Sequence, residues 1–130
     1  MAGTSIQMIA EKKISLQEIN RKIRNISGAE QVSNFTQRIN DVEILTLVFE
    51  KYYLRTGSFT SVTIVLTEYG EEQTACVVSS GGGEGLVNFS MGANRNFAKA
   101  CVQELEACGF VAMNSELNSR GKGIVERFLE

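Results

Sequence analysis

Val42-Glu43-Ile44-Leu45-Thr46-Leu47-Val48-Phe49-Glu50-Lys51-Tyr52-Tyr53 is the stretch that decides how this chain folds. Val42, Ile44, Thr46 and Val48 fall on one side of it, and Leu45, Leu47, Phe49 and Tyr53 on the other. A helix would accept the apolar content, but the β-branched and aromatic residues favour a strand with much of both faces covered. The residues that follow repeat the pattern. Thr56-Gly57-Ser58 turns the chain, and Val62, Ile64 and Leu66 then alternate with Thr63, Val65 and Thr67. Tyr69-Gly70-Glu71-Glu72 makes the next turn, residues 74–79 a third strand, Gly81-Gly82-Gly83-Glu84-Gly85 another turn, and 86–91 a fourth strand. Strands joined by turns this short pair antiparallel, which predicts a meander.

Outward from the meander, residues 5–11 read as a short first strand. Ser15-Leu16-Gln17-Glu18 has the form of a capping box, and Leu16, Ile19, Ile23 and Ile26 then share one helical face. A helix over 15–27 is expected, with Gly28 as its left-handed C-terminal cap. Residues 31–39 fit a loose helix or an irregular strand equally well, and Asn40-Asp41 is a turn signal. Asn94 is placed to cap a helix over 94–108 whose face carries Phe97, Cys101, Leu105 and Cys108, with Gly109 as its stop. A short helix over 122–129 is expected last. Together these predict a single α+β domain over residues 1–130, a four- to five-stranded antiparallel meander sheet with two or three helices packed on one face.

Composition narrows the function. The chain has 130 residues, 43% hydrophobic and 22% charged, a globular balance that supports one core. A net charge of −2 argues against a nucleic-acid partner, which needs cations to replace phosphate counterions. No apolar run approaches a membrane span, and the opening residues lack the charged and apolar regions of a signal peptide. Cys76, Cys101 and Cys108 form no framework and read as reduced thiols, so a cytoplasmic location is expected. There is no histidine, which removes histidine bases, triads and metal ligands, and no CxxC pair for zinc. Neither a metal nor a cofactor is expected.

Two groups of residues stand out as candidates. Ser79, Ser80, Gly81, Gly83 and Gly85 could turn backbone amides toward an anionic ligand. The plainer reading is a hairpin turn, because Walker and dinucleotide loops feed a helix and a strand is expected here. Phe49, Tyr52, Tyr53 and Arg55 could rim an interface, where aromatics and arginine are enriched, or could simply end a strand at the surface. Cys101 and Cys108, seven apart, read as buried small hydrophobes on a helix. The basic residues Arg21, Lys22 and Arg24 read as a solvated helix face.

Val48-Phe49-Glu50-Lys51-Tyr52-Tyr53, a glycine turn, the strand Ser61-Val62-Thr63-Ile64-Val65-Leu66-Thr67, and then Ser79-Ser80-Gly81-Gly82 before another strand and a helix carry a resemblance. Over about residues 41–110 the chain resembles a family of small bacterial proteins of unknown function. That family tends to carry a tryptophan between the last strand and the helix, where this chain has Met91-Gly92-Ala93-Asn94. The resemblance implies a fold and assigns no catalytic residue.

Three functions follow in order. The first is a non-enzymatic, self-associating binding or structural module, because the meander has apolar residues on both faces and few helices to cover them. The second is a protein that binds a small apolar or anionic ligand between sheet and helix, with the Gly81-Gly85 loop contributing. The third is an enzyme of unrecognised type in which Glu50, Glu84 or a cysteine converges with another titratable group.

Overall fold

A computed structural model describes residues 3–24, 26, 28–54, 57–81 and 87–113. The chain runs β1 (Gly3–Ala10), α1 (Leu16–Ile23), β2 (Glu30–Ile39), β3 (Val42–Tyr53), β4 (Ser58–Tyr69), β5 (Glu72–Gly81), α2 (Val87–Ala107) and β6 (Phe110–Ala112). The α+β class and the antiparallel sheet are as expected, but among the described residues the sheet has six strands rather than four or five. Their order is β2-β3-β4-β5-β1-β6, every neighbouring pair antiparallel.

The meander of β2 to β5 is built on short turns. Asn40, with φ 54°, and Asp41 connect Ile39 to its partner Val42, and Gly70-Glu71 connect Tyr69 to Glu72. Residues 31–39, ambiguous in sequence, are strand. They carry a bulge between Gln31 and Ser33 and take the free edge of β3.

The 86–91 segment is not a fourth hairpin strand. From Val87 onward it is the first part of a 21-residue helix, α2. The physical reason lies in the partner edge. β1 pairs along β5 from Gly3–Ser80 to Ile9–Thr74, so β5 offers no edge to a following strand. A short apolar run is ambiguous between strand and buried helix, and here the occupied edge resolves it. Asn94 therefore lies inside α2 rather than capping it. Gly109, with φ 104°, does end the helix, and its N–H bonds to the Glu106 carbonyl at 3.0 Å. The expected helix over 122–129 lies outside the described residues.

Helix α1 is shorter than 15–27. It begins as expected, with Ser15 Oγ accepting from the N–H groups of Gln17 and Glu18 at 3.2 and 3.4 Å. Glu18 turns to Arg21 and Lys22 instead of closing the box. The helix ends at Ile23, so Gly28 is not its cap, although it does adopt a left-handed φ of 76° on the way into β2.

Both helices lie on the same face of the sheet. Leu16, Ile19 and Ile23 of α1 and Phe97, Cys101 and Leu105 of α2 share one core with Leu45, Leu47, Phe49, Val62, Ile64, Leu66 and Val77 of the strands. Polar Gln73 is buried at the edge of this core. Its amide accepts from Ile14 N–H at 3.2 Å, donates back to the Ile14 carbonyl, and donates to Glu68 at 2.9 Å. Lys13 reinforces the clamp, donating to the Gly70 carbonyl at 2.8 Å and lying 3.5 Å from Glu68. This clamp fixes the start of α1 to the β4–β5 hairpin.

Gln73→Leu keeps the bulk but leaves both Ile14 backbone groups without their partner, so it is expected to lower the unfolding free energy by about 2 kcal/mol. Ser80→Ala, on the opposite face, is expected to change it by less than about 0.5 kcal/mol. Urea denaturation of both variants checks this, and equal effects would contradict the clamp.

Candidate functional site

Alternation along each strand separates two surfaces. The inner face carries the core. The outer face has no helix over it among the described residues, and its composition is unusual. β3 presents Val42, Ile44, Thr46, Val48, Glu50 and Tyr52 there, and β4 presents Phe59, Ser61, Thr63, Val65, Thr67 and Tyr69. β2 adds Phe35 and Ile39, and β5 adds Thr74, Cys76 and Val78. Phe35, Ile39, Tyr52, Phe59, Tyr69 and Val78 are all exposed. Tyr52 and Phe59 meet edge to face with ring centroids 5.1 Å apart. Charged side chains on this face are Glu30, Glu50 and Glu72, toward strand ends, and the described strands place no lysine or arginine on it. Depletion of charge around exposed aromatics is the composition of an interface centre.

The inner face turns polar at the end nearest Tyr53. One row across the strands is Lys51, Thr60 and Gly81, in register as direct partners. The row beyond it is Tyr53 and Ser58, and the row before it is Phe49, Val62 and Ser79. Thr60 and Ser79 are fully buried, and Thr60 Oγ1 has no hydrogen-bond partner among the described residues. Lys51 Nζ lies 5.2 Å from the centre of the Tyr53 ring. Cys101 of α2 is in the electrostatic reach of both Lys51 and Tyr53. Burial, with the Glu104 carboxylate adding to it and Lys51 opposing, pushes the Cys101 thiol up to about 12. Burial also raises Cys108, against the pull of Lys22, and raises the Tyr53 phenol. Both buried thiols are therefore neutral at pH 7 and poor nucleophiles.

The structure distributes the expected site residues over these surfaces. Ser79 and Gly81 lie beside Thr60 on the inner side, Ser80 is exposed on the outer face, and Gly83 and Gly85 lie outside the described residues. Of the expected interface group, Tyr52 is on the outer face. Phe49 is fully buried in the core, Tyr53 points inward, and Arg55 lies outside the described residues. Thr60 and Gln73 were missed. Their signal is parity: each polar residue stands in phase with core positions of its strand, Thr60 with Val62 and Ile64, Gln73 with Ala75 and Val77.

A groove of about 510 Å³ opens at the other end of the sheet, lined by residues that include Lys13, Ser15, Gln17, Glu43, Glu68 and Glu71. It is a surface feature beside the N-terminus of α1, not a cavity between sheet and helices. Among the described residues no group of three or more cysteine, aspartate and glutamate side chains is arranged to hold a metal, and no helix is long and apolar enough to cross a membrane.

Residues 1–109 match the model of DUF6054, a family of unknown function, and the chain belongs to that family. The match extends the resemblance read over about residues 41–110 to the N-terminus. No curated protein and no solved structure matches.

The buried thiols make stability depend on alkaline pH. A pKa raised on folding means the folded state holds its proton where the unfolded chain has lost it. The stability tied to it is complete below about pH 8.5, where an unfolded thiol is protonated. It is lost as pH rises from there toward the folded value of about 12 for Cys101. Unfolding free energy is expected to fall across this window by up to about 1.4 kcal/mol per pH unit from this thiol. Denaturation at pH 8 and 10 tests it, and Cys101→Ala should flatten the slope; an equal slope in the variant would contradict the assignment.

Proposed function

We propose that this member of the family is a non-enzymatic module that associates with a second copy of itself through the outer face of its sheet. The observation that carries the reading is that, among the described residues, two helices cover one side of a six-stranded sheet and the other side is apolar, aromatic and almost free of charge. Exposed apolar surface on this scale marks an interaction site.

Size supports a second copy as the occupant. Five strands spaced about 4.8 Å apart and about ten residues long at 3.3 Å each present roughly 800 Å². That is about the area each partner contributes to a stable complex of ordinary size. Like charge at the margins is spread thinly enough for two copies to meet, since Glu30, Glu50 and Glu72 lie toward strand ends and the centre, around Thr63, Val65 and Cys76, is neutral. Two sheets would pack about 10 Å apart as a sandwich, the usual arrangement for faces of this kind. The absence of histidine from the chain and the protonated state of the buried thiols favour a binding role over catalysis.

Sedimentation equilibrium tests the proposal. The chain is expected to be a dimer at about 100 μM, since interfaces of this area bind with micromolar or tighter affinity. Val65→Lys places a charge at the centre of the face without touching the core and is expected to give a folded monomer. A wild-type monomer at that concentration, or a dimer indifferent to Val65→Lys, would overturn it.

A further inference from the structure

The polar end of the inner face is separate from the proposed dimer surface and has its own chemistry. Thr60 is fully buried, faces inward with Val62 and Ile64, and its hydroxyl lacks a hydrogen-bond partner among the described residues. Buried polar groups are nearly always satisfied, so an orphaned hydroxyl marks either a destabilising defect or the place of a missing partner. Directly opposite stands Lys51, which makes no ion pair among the described residues. The other cross-strand partner of Thr60, Gly81, places no side chain beside it.

Lys51 is also held in position. Its ammonium lies over the Tyr53 ring, and its stem runs so close to Gly28 that a Cβ there would come within 3.1 Å of Lys51 Cε. Gly28 has φ 76°, so both its conformation and its missing side chain suit this approach. The neighbouring Cys101 supplies no negative charge, because its burial keeps it protonated. A cation and a hydroxyl, both donors and neither with an acidic partner among the described residues, thus stand side by side at the end of the core, flanked by Ser79 and Tyr53.

We infer that the Lys51–Thr60–Gly81 row is a binding site for a small oxyanion, a carboxylate or phosphoryl group, which accepts hydrogen bonds from Lys51 Nζ and Thr60 Oγ1. Oxygen acceptors on one anionic group match two adjacent donors, and partly buried charge-assisted bonds are the strong ones. This site makes no use of the outer face, and its occupancy does not depend on dimerisation.

Nuclear magnetic resonance titration of the ¹⁵N-labelled protein tests it. The probes are inorganic phosphate and, separately, acetate, with chloride at matched ionic strength as control. The expected result is a saturable shift of the amides of Lys51, Thr60 and Ser79 with phosphate, acetate or both, and none with chloride. Which probe saturates identifies the phosphoryl or carboxylate class. Lys51→Met and Thr60→Val are each expected to weaken binding about tenfold, the loss of one good hydrogen bond in such a site. Thr60→Val is also expected to raise Tm, because it replaces the orphaned hydroxyl with a methyl group of the same shape. Shifts that are linear, equal in chloride or unchanged in the variants would overturn the inference. So would a lower Tm for Thr60→Val, which would show that the hydroxyl already has its partner.

Discussion

Two crossover connections govern this structure. β1 and β2 run parallel to each other, as do β5 and β6, although every adjacent pair in the sheet is antiparallel. α1 carries the chain from β1 across to β2, and α2 carries it from β5 over β1 to β6. The first crossover moves one way across the sheet and the second moves the other way, but the strands they leave also point in opposite directions. Equal handedness therefore sends both helices to the same face. Crossovers between parallel strands are overwhelmingly right-handed, because a right-twisted strand and a right-handed helix pack back onto the sheet only that way. The outer face, bare of helix among the described residues, is thus a consequence of topology.

The rest of the energetics follows from that one-sidedness. Among the described residues the large buried apolar side chains, Phe49, Phe97 and Phe110 among them, lie in one layer between sheet and helices. Each contributes roughly 1.5–3 kcal/mol through burial. The two ends of that layer are polar and are handled differently. At one end Gln73 satisfies both backbone groups of Ile14 and holds α1 down. At the other end Thr60 sits beneath the helical layer with its hydroxyl unmatched among the described residues. The contrast between a satisfied and an unsatisfied buried polar group distinguishes a structural device from a candidate site.

Much of the sheet was legible in the residues. The strict alternation of Val62, Ile64 and Leu66 with Thr63, Val65 and Thr67 identified β4, and Asn40-Asp41 and Tyr69-Gly70-Glu71 located two hairpin turns. The failure at 86–91 came from a tertiary fact that local pattern does not contain. The edge of β5 is taken by β1, a strand about 70 residues earlier in the chain, where Ile6 pairs with Val77. Residues 31–39 stayed ambiguous because β2 is an edge strand with nearly every side chain exposed, so no apolar periodicity marks it. Of the site, the mixed group around Tyr52 and Tyr53 was visible as a cluster. Its division between two faces depends on strand parity, which sends Tyr52 outward and Phe49 and Tyr53 inward.

Cys76 gives the most direct test that the outer face is buried against a second copy. It lies near the middle of that face, paired with Val65 and Gln7, and is only partly buried in the single chain, whereas Cys101 and Cys108 are buried in the core. Its rate of reaction with a thiol reagent under native conditions, measured over a wide range of protein concentration, reports whether the face is open. The account predicts that the rate constant falls as concentration rises and the second sheet closes over Cys76. A rate constant that stays the same across the range, with the chain folded throughout, would contradict it.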